Sequence, residues 1–93
     1  MEIRWTPQAV EDIEAIRQYV GRDSAHYADL LVRRLVKAVE RIHEFPKSGR
    51  VVPEIEDEAI REVLLDDYRI IYKLLEEVAE VLTVFHGARL PRL

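Results

Sequence analysis

The sequence contains no cysteine, which excludes disulfide bonds, thiolate metal sites and cysteine nucleophiles. It has only three glycines and four prolines in 93 residues, so collagen-like repeats and low-complexity linkers are excluded as well. No apolar run approaches the ~20 residues that a membrane-spanning helix needs. The first residues also lack the basic and apolar regions of a signal peptide. We therefore expect a cytoplasmic protein with no membrane association.

An excess of positive charge is also lacking. The chain has 18 acidic and 14 basic residues, which gives a net charge of −4 at pH 7. Because binding through nucleic-acid phosphates depends on a basic surface, we expect no strong direct binding to nucleic acid. Hydrophobic residues make up 48% of the chain and charged residues 34%, as in an ordinary globular protein. The length predicts a single domain over residues 1–93.

The spacing of apolar residues predicts a strand, two helices and then three more strands. Thr6 and Ser24 are the predicted N-caps of the helices, and Pro7 suits the first helical position. A period of two places the strands over residues 2–5, 60–65, 68–74 and 78–86. The predicted fold is therefore α+β in the order βααβββ, with a helical hairpin packed on a small antiparallel sheet.

One side of the second predicted helix is basic. Its side chains are Arg33, Arg34, Lys37 and Arg41. Such a stripe is either a solvated face opposite the core or a surface for a partner, and the residues alone leave both interpretations open.

The histidines do not predict a metal site. No two of His26, His43 and His86 are spaced as metal ligands on a helix are, and we predict neither a metal nor a cofactor. His86 ends a predicted strand and precedes Gly87, where a backbone can approach a ligand closely. Arg89 follows, and a guanidinium can hold a phosphate or a carboxylate.

Several segments together carry a resemblance to a known family. They are Trp5-Thr6-Pro7, Phe45-Pro46-Lys47-Ser48-Gly49-Arg50, Arg61-Glu62-Val63, Tyr68-Arg69-Ile70-Ile71-Tyr72 and His86-Gly87-Ala88-Arg89. In this order and at these spacings the chain resembles the ParE branch of the RelE/ParE toxin superfamily. The resemblance implies the RelE/ParE-like toxin fold and the toxin half of a type II toxin–antitoxin pair, with a ParD-like antitoxin as its partner.

The resemblance leaves two activities to be compared. ParE-like toxins are associated with inhibition of DNA gyrase, whereas RelE-like toxins are ribosome-dependent messenger RNA endonucleases. RelE-like toxins carry lysines on the strand before the Tyr-Arg-x-x-Tyr strand, and an arginine and a tyrosine near the carboxyl terminus. Here residues 60–65 include Arg61 but no lysine, and no tyrosine follows Arg89. The resemblance therefore favours a gyrase inhibitor with no catalytic residues.

Two alternatives stay open beside the gyrase inhibitor. One is a RelE-like nuclease, which would use Arg61, Arg69, His86 and Arg89. The other is an inactive family member that binds only its antitoxin.

The resemblance and the residue pattern together suggest two binding surfaces. We expect Arg61, His86 and Arg89 to bind the target. Tyr19, Tyr27 and Leu30 lie off the apolar stripes of the two helices, and we expect them to bind the antitoxin. The edges of the sheet are also open to strand addition by a partner.

Overall fold

The computed structural model describes residues 1–87, which form two helices and five strands. In chain order these are β1 (Glu2–Trp5), α1 (Pro7–Gly21), α2 (Ala25–Glu44), β2 (Arg50–Val51), β3 (Ile60–Leu65), β4 (Tyr68–Leu74) and β5 (Val78–His86). The two helices pack on the sheet, so the predicted α+β class and helical hairpin are confirmed. Arg89 lies outside the described residues.

The sheet is mixed, with the strand order β1-β5-β4-β3-β2. It differs from the predicted antiparallel sheet in two respects. First, β1 runs parallel to β5, with Ile3 opposite Ala79; the alternation of side chains is the same in both strand directions, so the sequence pattern did not reveal this. Second, the chain forms an additional strand, β2, antiparallel to β3. Two residues are too few to show a period.

Both helices begin where the sequence predicted. The side-chain oxygen of Thr6 accepts a hydrogen bond from the backbone N–H of Ala9 at 3.0 Å, and that of Ser24 accepts one from Tyr27 at 3.1 Å. Each bond satisfies a backbone donor that the first helical turn leaves without a partner. Neither helix within residues 1–87 is long and apolar enough to cross a membrane.

The hydrophobic core lies between the helices and one face of the sheet. One cluster of its buried members consists of Ala9, Ile13, Leu31, Val32, Leu35, Val39, Ile70, Val81 and Val84, and a second consists of Ile42, Tyr72 and Ala79. On β3, Val63 and Leu65 pack against this core, so the alternate residues Glu62 and Leu64 point to the other face of the sheet. We call this second face the open face.

A polar contact fixes α1 to the sheet. The pairing of β4 with β5 is interrupted by a bulge between Ile71 and Tyr72. Next to this bulge, the carboxylate of Asp12 accepts hydrogen bonds from the hydroxyl of Thr83 at 2.5 Å and from the backbone N–H of Val84 at 3.1 Å. Asp12 therefore sets the position of α1 relative to β5.

Candidate functional site

The open face carries two buried charged side chains, Glu62 and Arg69, with relative exposures of 1% and 6%. Arg69 Nε donates to Glu62 Oε1 at 2.6 Å, and its two terminal nitrogens donate to the two carboxylate oxygens of Glu54 at 2.8 Å each. Arg50 Nε donates to the other oxygen of Glu62 at 2.6 Å. Two arginines and two glutamates therefore form one connected network of charge-assisted hydrogen bonds.

The network fixes the loop of residues 52–59 to the sheet. Glu54 belongs to this loop, and the hydrogen bonds from Arg69 lower the pKa of its carboxyl to about 2. The same contact raises the pKa of Arg69 above its usual range. The guanidinium carbon of Arg69 also lies 5.4 Å from the centre of the Phe85 ring. Arg69 is one of the residues that a RelE-like nuclease would use, and in this fold it links the loop to the sheet.

Arg61 also contacts the chain itself. Its Nε donates to the backbone oxygen of Glu58 and its Nη1 to the backbone oxygen of Gly49, both at 3.0 Å. Gly49 lies near the start and Glu58 near the end of the segment between α2 and β3, so Arg61 joins the two ends of this segment. The side chain is half-buried.

Tyr72 holds the turn that follows α2. The side chain is fully buried, and its hydroxyl donates to the backbone oxygen of Pro46 at 2.7 Å and accepts from the backbone N–H of Gly49 at 3.0 Å. Burial raises the pKa of the Tyr72 hydroxyl. The packing here is so close that a Cβ atom on Gly49 would lie 2.6 Å from the Tyr72 hydroxyl oxygen.

His86 lies in an exposed aromatic groove at the other end of β4. Its ring meets Tyr68 edge to face at a centroid distance of 5.0 Å, and its Nε2 is 3.9 Å from a carboxylate oxygen of Asp67. The groove has a volume of about 380 Å³, and Tyr19 of α1 also lines it. Burial raises the pKa of the Tyr68 hydroxyl. The next residue, Gly87, has a φ of 108°, a conformation that favours glycine.

The structure separates the predicted target-binding residues and brings together residues predicted for different partners. Arg61 stands opposite Tyr72 on β4, whereas His86 stands opposite Tyr68. Four residues of a strand correspond to about 13 Å, so Arg61 and His86 do not form one cluster. Tyr19, predicted to bind the antitoxin, shares a groove with His86, and its binding role stays a prediction. Nor do residues 1–87 bring together three histidine or carboxylate side chains that could hold a metal ion.

The other predicted antitoxin residues, Tyr27 and Leu30, are exposed on α2, with relative exposures of 50% and 44%. Their binding role stays a prediction.

The basic stripe on the same helix consists of two arginines that form ion pairs and two basic side chains that do not. Arg33 pairs with Asp29 at 3.3 Å and Arg34 with Asp66 at 3.0 Å. No such ion pair is made by the side chains of Lys37 or Arg41 within the described part of the chain.

Sequence reasoning did not identify Glu54 and Arg50 as parts of the buried network. The acidic run around residues 54–58 has the composition of a solvated loop, and nothing local distinguishes Glu54 from Glu56 or Glu58. The one available signal was the buried strand of Tyr68–Leu74 with Arg69 inside it, because a buried arginine requires carboxylate partners.

Comparisons with known proteins agree with this architecture. Residues 3–91 match the family model described as the ParE toxin of type II toxin-antitoxin system, parDE. The chain is 31% identical to toxin RelE2 of Caulobacter vibrioides over 90 residues, which cover 96% of this chain and 98% of that protein. It is 36% identical to the protein Y4kP of Sinorhizobium fredii over 87 residues, which cover 91% and 86% of the two chains.

A solved structure shares the fold. It is described as the chromosomal ParDE TA system from P. aeruginosa, and it matches with a TM-score of 0.78 at 21% sequence identity, over 95% of this chain and 97% of that one. The family model covers nearly the whole chain, so the resemblance stated from the sequence is confirmed. The chain belongs to the ParE toxin family, the toxins of type II toxin–antitoxin systems.

Proposed function

We propose that this toxin acts in the cytoplasm by binding DNA gyrase, without cleaving RNA, and that a ParD-like antitoxin neutralises it. The observation that carries the proposal is the engagement of Arg69 by Glu54 and Glu62. A cation that already holds two carboxylates is poorly suited to hold the phosphate of a messenger RNA.

The chemistry of RNA cleavage supports this choice. Attack by a 2′-hydroxyl needs a proton acceptor, a proton donor and cations at the phosphate. A phosphate at Arg69 would have to displace Glu54, whose pKa of about 2 reflects how strongly the guanidinium favours its ionised form. Two nitrogens of Arg61 donate to backbone carbonyls, and His86 lies about four strand residues away. These residues therefore fit structural and binding roles better than a catalytic centre.

The groove around His86 is the part of this surface that best fits a target. It combines an exposed histidine with the rings of Tyr19 and Tyr68. Tyrosines are common among the residues that dominate the binding energy of protein interfaces. Arg89 follows three residues after His86 in the sequence and can add a charge-assisted contact. Arg61 stays in the proposed target surface as a flanking cation.

The antitoxin is proposed to cover Tyr27 and Leu30. Both side chains are about half exposed on α2, which is unusual for large hydrophobic groups that lie close together and is typical of a protein interface. The similar solved structure is described as a ParDE TA system, which supports an antitoxin as the partner.

A second candidate is the ribosome-dependent nuclease. It is favoured by the name of the Caulobacter relative, toxin RelE2. Under this alternative Arg61, Arg69, His86 and Arg89 act on the messenger RNA. The third alternative, an inactive toxin, predicts antitoxin binding without any effect on growth.

Two assays on the purified toxin separate these functions. We expect loss of DNA supercoiling by gyrase, reversed by adding the antitoxin, and intact messages in primer extension on translating ribosomes. Codon-specific cuts that disappear in Arg61→Ala would instead establish the nuclease. If neither assay responds while the antitoxin still binds, the toxin is inactive.

A further inference from the structure

An apolar groove lies beside the turn that follows α2, at the end of the sheet far from His86. The groove has a volume of about 830 Å³, and its apolar lining includes Phe45, Pro46, Leu74 and Leu75. Phe45 and Leu75 are large hydrophobic side chains, yet they are 55% and 39% exposed. Neither the proposed target surface nor the proposed antitoxin surface includes them. We call these four lining residues the turn patch.

Hydrogen bonds hold the turn patch in place on both of its sides. On the side of α2, the Tyr72 hydroxyl donates to the backbone oxygen of Pro46 at 2.7 Å. On the side of the sheet, the backbone N–H of Leu75 donates to the backbone oxygen of Val78 at 2.8 Å and closes the turn between β4 and β5. A surface that is fixed before binding loses little conformational freedom when a partner arrives. The exposed hydrophobic side chains therefore form a preorganised contact surface.

Exposed charges of both signs surround the turn patch. Arg41 and Lys47 lie on the side of α2 and its following turn, with Glu44 between them in the sequence. The turn between β4 and β5 adds Glu76 and Glu77. Within residues 1–87, none of these five side chains forms an ion pair. Arginines of β1, α1 and β4, in contrast, each lie within ion-pair distance of a carboxylate.

This arrangement fits a second copy of the same chain. A contact with two-fold symmetry uses the same surface of both copies, so that surface must be complementary to itself. Two turn patches can face each other with the basic side of each against the acidic turn of the other. Phe45 of each copy then enters the groove of the other copy. Burial of the two apolar surfaces removes them from water and stabilises the contact.

Other occupants of the groove fit these charges less well. The anionic surface of a membrane attracts Arg41 and Lys47 but repels Glu44, Glu76 and Glu77. A small amphipathic carboxylate can pair with the two cations, but it leaves the acidic turn without a partner. Only a surface that itself carries both signs of charge satisfies both sides of the turn patch.

The turn patch is distant from both proposed binding surfaces. Phe45 lies about 27 Å from Tyr27 along the axis of α2. Ala79 stands opposite Leu74, and His86 lies about 23 Å farther along β5. A contact between two copies at the turn patch therefore leaves each copy free to bind its target and its antitoxin.

We propose that the toxin forms a homodimer about a two-fold axis at the turn patch. Phe45 and Leu75 of the two copies form the apolar centre of the contact. Lys47 of each copy pairs with Glu76 of the other. The dimer carries its two target grooves and its two antitoxin surfaces away from the shared contact, so the proposal does not depend on which target the toxin has.

Sedimentation velocity of the purified toxin over a range of micromolar concentrations tests the proposal. We expect the mass to rise with concentration from 10.9 kDa to twice that value. Leu75→Ser should raise the dissociation constant of the dimer at least tenfold, because the apolar group is lost from both copies. The matched control is Leu64→Ser, which removes an exposed leucine from the open face and should change the constant less than threefold.

An exchange of charges tests the pairing between the copies. Lys47→Glu and Glu76→Lys should each weaken the dimer at least threefold, because each places like charges together. The two changes combined in one chain should restore the affinity of the parent, since every pair again has one cation and one carboxylate. Lys37→Glu, an exposed change on α2 outside the turn patch, is the control and should leave the dimer unchanged.

A toxin that stays at the monomer mass at all concentrations contradicts the proposal. A dimer that the Leu75 and charge variants form as readily as the parent also contradicts it, because the contact then lies elsewhere. If the toxin stays monomeric and binds anionic vesicles, while Leu75→Ser does not, a membrane surface is the occupant and the proposal is wrong. Concentration-dependent NMR shifts of the Phe45 and Leu75 amides in the parent need no variant. They decide the proposal even if a variant fails to fold.

Discussion

Glu62 and Arg69 are diagonal neighbours on the open face of the sheet, joined by a hydrogen bond of 2.6 Å. They do not stand opposite each other, since Glu62 pairs with Ile71 and Arg69 with Leu64. Diagonal positions on adjacent strands are about 7–8 Å apart, a distance that two long side chains can bridge. Because both groups are almost completely buried, neither is stable in its place without the other.

Replacing Glu62 by glutamine should destabilise the protein strongly. The amide leaves the buried charge of Arg69 without its closest carboxylate, and breaking such a pair typically costs about 3–5 kcal/mol. Urea unfolding of Glu62→Gln measures the change in the free energy of unfolding. The control is Glu58→Gln, an exposed side chain of the neighbouring loop, which should change it by less than about 0.5 kcal/mol. Similar values for the two variants would contradict the structural role of the network.

Glu54 should make the stability of the protein sensitive to acid. Hydrogen bonds from Arg69 lower the pKa of its carboxyl from 4.5 to about 2. The folded state therefore binds this proton less readily than the unfolded state, so the stabilisation is complete above pH 4.5 and is lost as the pH falls towards 2. Thermal unfolding between these values should depend less on pH in Glu54→Gln than in the parent. In Glu56→Gln, an exposed control, the pH dependence should be unchanged.

The Tyr72 hydroxyl should stabilise the turn after α2. Removing it in Tyr72→Phe leaves the backbone N–H of Gly49 and the backbone oxygen of Pro46 without this partner, at an expected cost of about 1–3 kcal/mol. Chemical denaturation at neutral pH measures the cost. Tyr19→Phe, in which the altered hydroxyl is exposed, is the control and should behave as the parent.

The same variant also tests an alkaline limit of stability. Burial raises the pKa of Tyr72 above its usual value of 10, so the unfolded state releases this proton first as the pH rises. The contribution is complete below pH 10 and is lost as the pH rises through the pKa of the folded state. Tyr72→Phe should therefore reduce the alkaline loss of stability. If Tyr72→Phe loses as much stability at alkaline pH as the parent does, other groups determine this loss.

Two glycine substitutions should have opposite effects. A Cβ on Gly49 would lie 2.6 Å from the backbone oxygen of Glu62, which cannot move without disturbing β3, so Gly49→Ala should cost about 1–3 kcal/mol. On Gly21, at the end of α1, the closest atom is the Cβ of Ala28 at 3.9 Å. Gly21→Ala should be neutral or stabilise the protein by up to about 1 kcal/mol. The melting temperatures of the two variants and of the parent measure these effects. A melting temperature of Gly21→Ala below that of the parent would contradict the open environment of Gly21.

His86 and Arg89 should affect toxicity more than stability. Replacing His86, an exposed side chain, by alanine should change the free energy of unfolding by less than about 0.5 kcal/mol. We expect at least a tenfold loss of gyrase inhibition for His86→Ala and for Arg89→Ala. For Arg89 this corresponds to a charge-assisted contact of about 1.5–3 kcal/mol. The control is His26→Ala, an exposed histidine at the start of α2, which should inhibit as the parent does. If His86→Ala and Arg89→Ala both kill as the parent does, the proposed target surface is wrong.

The sequence by itself determined the helices, their starts and most of the strands. The N-caps Thr6 and Ser24 and the period of the apolar residues are local signals, because they depend on neighbours within one or two turns of helix or along one strand. The family resemblance likewise depended on short motifs in a fixed order. These features could be predicted from the sequence because their physical causes lie within short segments of the chain.

Only the tertiary structure decided what the charged residues do. From the sequence, Arg69 was a cation available to a phosphate; in the fold it holds Glu54, 15 residues away, and Glu62, seven residues away. Tyr19 and His86 came to share one groove in the same way. Which side chains meet depends on strand register, strand direction and the path of the loop, and these are set by the packing of the whole domain. The strength of an electrostatic interaction depends on the distance between the two charges in space. The ion-pair partners of these residues are therefore determined by the fold and not by their separation in the sequence.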